Sequence, residues 1–291
     1  FMPTFSNQAQ LSYNGITANS NIAYGQILEV LAASKTALSD TYTSGDRITY
    51  IFSIVNSGTT AFSDLTVTDN LGAYSFTTDT SEPITLYPLT YIPNSMHLLI
   101  NGPLQPAPTV TAADGITITG VSIPSGGNAA FIYQADINDY APLAAAGNVI
   151  NTVRVTGAQL AAPLTATHTI STATVPNLSI VKGICPAQIA ENGRITYTFS
   201  IQNYGNTATT DDDLVQIRDT FTPILSDISV TYNGTVLPTS NYSYDQVTGV
   251  FSTNAGVINI PAATYVQSQT TGAYTLTPGT ATVTVTGNIS G

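Results

Sequence analysis

The chain has 291 residues, a formal net charge of −11 and only 8% charged residues, whereas ordinary soluble domains carry roughly 25%. Its 16 tyrosines and 9 phenylalanines exclude a disordered chain, because disordered sequences are rich in charge and poor in aromatic residues. Six basic residues cannot form a phosphate-binding surface, so the composition excludes nucleic acid as a partner and disfavours an anionic membrane surface.

The first predicted element is an N-terminal segment, residues 1–27, with a hairpin signal at Asn14-Gly15. Its residues 6–15 resemble residues 150–157, and each stretch precedes a lysine at a similar spacing. The segment therefore resembles the closing part of a β-domain that has no beginning. It lacks a basic and apolar leader, so we expect either a processed chain or export by another route.

A first domain is predicted at residues 28–174 and a second at residues 175–291, because their strand patterns repeat: Arg47–Asn56 corresponds to Arg194–Asn203. The predicted strands alternate apolar and polar residues, are rich in β-branched and aromatic side chains, and are separated by Gly, Pro, Asn and Asp. We therefore expect an all-β chain of two tandem antiparallel β-sandwiches of immunoglobulin type. No apolar run is long enough for a membrane-spanning helix, so membrane insertion is not expected. A short helix is suggested only at residues 143–146.

The second domain is expected to lack its closing strands. In the first domain the strand at residues 130–137 is followed by another at 149–157, whereas the equivalent strand of the second domain, residues 281–289, lies at the end of the sequence. An incomplete sandwich exposes an unpaired edge unless another strand fills it. We expect residues 3–27 of one subunit to complete the second domain of the next, which gives a head-to-tail filament. Two alternatives stay open: the segment folds back onto its own second domain, or it adds a hairpin to the first.

The chain has two lysines, and they occupy equivalent positions in the opening strands of the two domains. By strand alternation each points towards the core, where a lysine is almost never buried without a partner. Each predicted site combines the lysine with an inward aspartate from a middle strand and an asparagine from a closing strand. The first site is Lys35, Asp69 and Asn151, and the second is Lys182, Asp219 and, from the N-terminal segment, Asn7. The simpler alternative for each Lys–Asp pair is a buried or half-buried salt bridge.

These sets resemble those of the self-crosslinking Ig-like domains of Gram-positive adhesins and pilins. The resemblance implies that the lysine amine attacks the asparagine carboxamide and releases ammonia, which leaves an isopeptide bond. It also implies that Asp69 and Asp219 act as proton shuttles in this single-turnover reaction. Burial favours such chemistry because it lowers the pKa of an amine and so supplies the neutral nucleophile.

A second set of motifs lies in the first domain, as part of a resemblance that extends over nearly the whole chain. They are Lys35, Gly45-Asp46-Arg47-Ile48-Thr49-Tyr50, Asn56-Ser57-Gly58-Thr59, Val67-Thr68-Asp69-Asn70-Leu71 and Ile150-Asn151-Thr152-Val153. In them the chain is similar to the conserved-repeat Ig-like domains of unknown function from bacterial, especially clostridial, surface proteins. The second domain departs from the pattern at residues 217–221.

The sequence therefore predicts a structural subunit of an extracellular bacterial fibre, on a cell or spore surface, that polymerises with itself and is not a turnover enzyme. The alternative is a monomeric adhesin or S-layer-like protein that binds an unknown host or surface ligand. No cofactor or metal is expected, since one cysteine excludes an internal disulfide and two histidines disfavour a zinc site. Cys185 is expected to be buried, His97 exposed, and Asp211-Asp212-Asp213 a solvated loop.

Overall fold

The computed structural model describes residues 4–26, 30–190 and 193–289 of the chain. They form 26 β-strands and two short 3₁₀ turns, at Asp211–Asp213 and Thr239–Asn241, so the all-β prediction is confirmed. Within this described part, no helix is long and apolar enough to cross a membrane.

The helix suggested at residues 143–146 is absent from the structure. These residues form a turn in which Ala146 has a positive φ of 70°. The Thr172 hydroxyl lies 2.9 Å from the carbonyl oxygens of both Ala144 and Gly147. A side chain from a later strand therefore provides the hydrogen bonds that these turn carbonyls need. Tertiary contact therefore overrides the local preference of this alanine-rich segment for a helix.

The N-terminal arm, residues 4–26, contains four short strands that form two antiparallel pairs, one following the other along the arm. Its outer strands β1 (Thr4–Asn7) and β4 (Ala23–Gln26) pair antiparallel, as do its inner strands β2 (Gln10–Tyr13) and β3 (Ile16–Asn19). Its large apolar side chains are exposed to solvent; they are Phe5, Leu11, Tyr13, Ile16, Ile22 and Tyr24. Residues 1–3 and 27 of the predicted donor segment lie outside the described residues.

The first domain is a sandwich of two sheets, built from strands β5 to β16. One sheet has the order β11–β14–β7–β5, with β12 also paired to β14, and the other has the order β13–β8–β15–β16–β6. Neighbouring strands are antiparallel except β6 and β16, and β9 and β10 form a separate hairpin. The strands are β5 (Leu31–Ala37), β6 (Thr41–Tyr42), β7 (Arg47–Asn56), β8 (Phe62–Asp69), β9 (Tyr74–Thr77), β10 (Pro83–Leu86), β11 (Leu89–Tyr91), β12 (His97–Ile100), β13 (Ile116–Ile123), β14 (Asn128–Ile137), β15 (Asn148–Thr156) and β16 (Leu164–Thr172).

The core of the first domain lies between these two sheets. Alternate residues of β7 and β14 are buried, as expected for strands with one face on a core. On that face Tyr133 stacks on Tyr50 with ring centroids 5.5 Å apart, and Phe131 stacks on Phe52 at 5.4 Å. The aromatic side chains therefore form a packed layer on the inner face of the sheet whose edge strand, β5, carries Lys35.

The second domain repeats one sheet of this sandwich and part of the other. Its larger sheet has the order β17–β18–β26–β20–β21, its smaller sheet has the order β19–β23–β22, and β24 and β25 form a hairpin. Lys182 lies opposite Phe199 on β18, as Lys35 lies opposite Phe52 on β7. The strands are β17 (Leu178–Cys185), β18 (Arg194–Asn203), β19 (Arg218–Thr220), β20 (Leu225–Tyr232), β21 (Thr235–Val236), β22 (Tyr242–Tyr244), β23 (Val250–Thr253), β24 (Thr264–Gln267), β25 (Tyr274–Thr277) and β26 (Gly279–Ile289).

The two domains differ at the edge where the sandwich closes. In the first domain β8 pairs with β13 on one side and β15 on the other, and β16 packs against β5. The corresponding strand β19 pairs with β23 alone among the described residues, and every residue of β17 is exposed. We call the uncovered surface between β17 and β19 the open groove; its residues are Leu178, Ile180, Lys182, Ile184 and Asp219. Cys185, expected to be buried, is exposed because it ends this uncovered strand.

The second domain also contains an inserted hairpin, residues 262–278. The buried amide of Asn56 donates to the carbonyl oxygen of Pro124 at 2.9 Å, and the equivalent Asn203 donates to that of Pro261 at 3.0 Å. Pro124 lies in a tight turn that leads directly into β14, whereas the inserted hairpin separates Pro261 from β26. The insertion therefore replaces one turn of the shared fold.

The inserted hairpin joins the second domain to the first. The Gln267 side-chain amide lies 3.1 Å from the Tyr74 hydroxyl, and the backbone amide of Tyr274 donates to the carbonyl of Asp139 at 2.7 Å. Tyr265 packs against the core of the first domain. These contacts connect the domains at points other than the connecting segment at residues 173–177.

Candidate functional site

The first candidate site is a lysine–aspartate pair enclosed between the sheets of the first domain. Lys35 comes from β5 in one sheet and Asp69 from the end of β8 in the other. The Lys35 side chain has no exposed surface, that of Asp69 is 4% exposed, and the two form an ion pair. The ammonium group also lies 5.0 Å from the ring centroid of Tyr50, so an aromatic face covers the charge on another side.

A single hydroxyl, that of Tyr133, connects the groups of this site. It accepts a hydrogen bond from Lys35 Nζ at 3.0 Å and donates one to Asp69 Oδ2 at 2.6 Å. It also accepts a hydrogen bond from Asn151 Nδ2 at 2.9 Å. The lysine amine and the asparagine amide nitrogen therefore lie within two hydrogen-bond lengths of each other, although they come from opposite sheets.

Asn151 is fully buried, and its carboxamide oxygen has no hydrogen-bond partner in the described structure. The Tyr50 hydroxyl is likewise buried without a partner at hydrogen-bond distance. Unpaired buried polar atoms cost about 1–3 kcal/mol each and are rare in folded proteins. Two of them in one site indicate an arrangement that ordinary packing does not explain.

Burial makes the neutral form of the Lys35 amine easier to reach than it is in water. Burial lowers the pKa of Lys35, and the adjacent Asp69 carboxylate opposes part of that shift. Burial, together with the charge of Asp69, raises the pKa of Tyr133 well above its ordinary value, so this hydroxyl keeps its proton. The site therefore combines a buried amine, a carboxylate that can take its proton, a protonated hydroxyl and a carboxamide.

Asn70, the residue after Asp69, joins the two strands that carry the site. Its backbone amide donates to the carbonyl of Thr152 at 3.0 Å, and its side-chain oxygen accepts from the amide of Thr152 at 2.8 Å. Gly115 has a φ of +95°, and a Cβ there would lie 2.3 Å from the carbonyl oxygen of Asp69. The strands on both sides of Asp69 are therefore held close, which fixes the carboxylate relative to Asn151.

The second candidate site lies within the open groove, between β17 and β19. Lys182 and Asp219 form an ion pair, and the Lys182 ammonium lies 4.6 Å from the ring centroid of Tyr197. The Lys182 side chain lies over the Tyr197 ring, and in the single chain it is 41% exposed. The reason is that no described strand covers this face.

Asn7 lies on β1 of the exposed N-terminal arm, opposite Ala23. No hydrogen bond joins Asn7 to Lys182 within the described chain. The described chain therefore assembles the first site with all three predicted residues, and the second with its lysine and aspartate alone.

The remaining polar residues of interest form ordinary surface contacts. His97 is exposed, and His168 Nε2 lies 3.0 Å from Asp40 Oδ1, an acid distant in sequence. The carboxylate of Asp213 accepts a hydrogen bond from the backbone amide of Thr210 at 2.7 Å, at the start of the 3₁₀ turn Asp211–Asp213. In the described residues no group of three or more His, Cys, Asp or Glu side chains is arranged to hold a metal ion.

Sequence comparison matches no known protein family and no curated protein. Similar solved structures include the collagen-binding domain of a Staphylococcus aureus adhesin, with 11% identity and a TM-score of 0.31 over 48% of this chain and 96% of that one. They also include a fragment of the major pilin of Streptococcus agalactiae, with 10% identity and a TM-score of 0.34 over 86% of this chain and 91% of the fragment. The pilus backbone protein of Streptococcus pneumoniae has 10% identity and a TM-score of 0.34 over 85% of this chain and 55% of its own length. Likenesses at this level carry no information about function, which has to follow from the site itself.

Proposed function

We propose that this protein is a structural subunit of an extracellular bacterial fibre, on a cell or spore surface, assembled by donor-strand complementation. One observation carries the proposal: the same chain has an open groove that none of its described strands covers and an arm that exposes large apolar side chains. Covering each such side chain stabilises an assembly by about 1.5–3 kcal/mol. An extended strand that enters the groove also satisfies the free edge of β19 through backbone hydrogen bonds.

Assembly between subunits is open-ended. The groove and the arm are different surfaces, so each subunit donates an arm to one neighbour and accepts an arm from another. Such a heterologous contact extends into a filament unless its rotation closes a ring. The protein therefore polymerises with itself and needs no second component.

The position of the donor strand follows from the first domain, where Val153 on β15 lies opposite Asp69 on β8. Asn151 lies two residues before Val153, as Asn7 lies two residues before Ala9. Placing Ala9 opposite Asp219 of the neighbouring subunit therefore brings Asn7 towards Lys182. We propose that Lys182 and Asn7 then form an isopeptide bond between subunits, as Lys35 and Asn151 do within one.

Electron microscopy of the purified protein tests this function. Wild-type protein is expected to form filaments, and a variant without residues 1–26 is expected to remain monomeric, because it keeps the groove and loses the donor. Filaments of unchanged appearance from the truncated protein would falsify donor-strand assembly. Monomers from the wild-type protein, with the arm protected from proteases, would instead support a chain that fills its own groove, as expected for a monomeric surface protein.

A further inference from the structure

We infer that two tyrosines are catalytic residues of the Lys35–Asn151 crosslink. The hydroxyl of Tyr133 carries a proton to the departing ammonia, and the hydroxyl of Tyr50 holds the carboxamide oxygen in the transition state. The inference rests on the crosslinking reaction of the proposed function. The sequence assigns no role to either tyrosine, because aromatic residues are common in sandwich cores.

The need for a relay follows from what Asp69 contacts. Its carboxylate oxygens bond to Lys35, to Tyr133 and, at 2.9 Å, to the backbone amide of Leu71. No hydrogen bond joins Asp69 to Asn151 in the described structure. A carboxylate in this position can take a proton from the amine, yet it cannot deliver that proton directly to the leaving nitrogen. The Tyr133 hydroxyl forms hydrogen bonds with the Asp69 carboxylate and with the Asn151 amide nitrogen, and so connects the two groups.

The steps balance in atoms and charge. Asp69 takes a proton from the Lys35 ammonium, and the neutral Nζ attacks Cγ of Asn151 while the carbonyl π pair moves to Oδ1. Nδ2 gains a lone pair in the tetrahedral intermediate, and the Tyr133 hydroxyl, which first donates to Asp69, turns towards it. The Tyr133 proton then passes to Nδ2 as the proton on Asp69 passes to the Tyr133 oxygen, and Asp69 takes a second proton from Nζ. When the carbonyl re-forms, the Cγ–Nδ2 bond breaks, ammonia leaves, and Asp69 keeps one proton. Transfer by a positioned group of this kind contributes about 10²–10⁴-fold to a rate.

Tyr50 supplies the donor for the negative oxygen. The Tyr50 ring stacks on the ring of Tyr133, with centroids 5.5 Å apart, so Tyr50 lies beside the residue whose hydroxyl binds the Asn151 carboxamide. Burial raises the pKa of Tyr50, so its hydroxyl keeps its proton. Both the Tyr50 hydroxyl and Asn151 Oδ1 lack a partner at hydrogen-bond distance in the unreacted site. A donor that is unpaired in the ground state and bonded when charge develops on Oδ1 favours the transition state selectively.

The test follows the mass of the full chain during refolding. Protein carrying Asn7→Ala, which removes the bond between subunits, is collected as unfolded, unreacted chain from inclusion bodies, because denaturant does not reverse an isopeptide bond once it has formed. It is then refolded by dilution and quenched at intervals for intact-mass measurement. Circular dichroism records folding in parallel. The variants are Tyr133→Phe and Tyr50→Phe, which keep their stacked rings. Tyr244→Phe is the matched control, since it removes a hydroxyl that bonds only within the second domain.

We expect Tyr133→Phe to slow the loss of ammonia by about 10²–10⁴-fold and Tyr50→Phe by about 10²–10³-fold, with Tyr244→Phe unchanged. If the parent protein folds and never loses ammonia, the crosslinking reaction itself is wrong. If the parent reacts and a tyrosine variant reacts equally fast, the reaction stands and the role of that tyrosine is wrong.

Should a variant fail to fold, the parent protein containing fluorotyrosine provides the second measurement. Its more acidic phenols shift the alkaline fall in rate to lower pH if a tyrosine proton is transferred. An unchanged pH profile overturns the relay.

Discussion

Val285 occupies, in the second domain, the position that Tyr133 occupies in the first. Tyr133 lies opposite Tyr50 across β14 and β7, and Val285 lies opposite Tyr197 across the corresponding strands β26 and β18. The second site therefore keeps the counterpart of Tyr50 and lacks the hydroxyl that connects the three buried groups of the first site. The two proposed crosslinks should then form at different rates even though their lysines, aspartates and asparagines correspond.

We expect the bond within the first domain to form before the bond between subunits. Without a hydroxyl at the position of Tyr133, crosslinking at the second site should be slower by about 10²–10⁴-fold. It also cannot begin until the arm of another subunit has bound. In a refolding time course, monomers should complete their loss of ammonia while the series of crosslinked multimers is still growing. Multimers that appear as fast as the monomers lose ammonia would contradict this order.

The first-domain bond predicts a mass deficit of one ammonia in every folded subunit. Asn151→Ala removes the electrophile and Asp69→Ala removes the proton acceptor, so either variant should have its unmodified mass. Asn148→Ala, an exposed position on the same strand, is the control and should retain the deficit. Peptide mapping should recover Lys35 linked to Asn151. A wild-type protein of unmodified mass, with Lys35 as a free amine, would leave only the ion pair.

The bond between subunits predicts a ladder of multimers that survives boiling in detergent and reductant. Asn7→Ala or Lys182→Ala should collapse the ladder to monomer, because each removes one partner of the bond. Asn19→Ala, an exposed asparagine elsewhere on the arm, should leave it intact. The reductant excludes a disulfide through Cys185 as the explanation. A ladder that persists in both variants places the crosslink at other residues.

A peptide of residues 3–27 should bind the chain from which residues 1–26 have been deleted. Phe5 and Leu11 lie on the same face of the donor strand as Asn7, and burying each contributes about 1.5–3 kcal/mol. Replacing both with aspartate should therefore weaken binding by at least about tenfold in a calorimetric titration. Equal affinity of the two peptides would show that the groove does not bury this face.

Without its crosslink, the first domain should have a free energy of unfolding that increases with pH up to about pH 10.5. In Asn151→Ala the amine stays free, and burial holds the pKa of Lys35 below its ordinary value of 10.5. Between the lowered pKa and 10.5 the unfolded chain binds more protons than the folded one, so the free energy of unfolding increases with pH. The double variant Lys35→Met, Asn151→Ala lacks this contribution. Urea titrations at several pH values give the free energy of unfolding of both variants. If that free energy changes with pH equally in the two, the lowered pKa of Lys35 is ruled out.

Alternation of apolar and polar residues along β7 and β14 is sufficient to predict an all-β chain. Alternation along β5 and β17 likewise predicts the direction of each lysine side chain, because direction depends only on the period of the strand. Burial depends on strands from elsewhere, which is why Lys182 points inward and is still 41% exposed. Tyr133 could not be singled out, since its role arises from three groups that meet only in the folded sandwich. The inserted hairpin follows from no local signal, because its partners lie in the other domain.

If the protein forms the proposed filament, the inserted hairpin determines where that filament can bend. Tension along a chain of domains normally passes through the connecting segments, each of which acts as a hinge. Here the contacts of Gln267 with Tyr74 and of Tyr274 with Asp139 form a second connection beside residues 173–177, so the two domains resist rotation about that segment. Flexing is then concentrated at the joints between subunits, and the stiffness of the filament depends on how tightly each arm fits its groove.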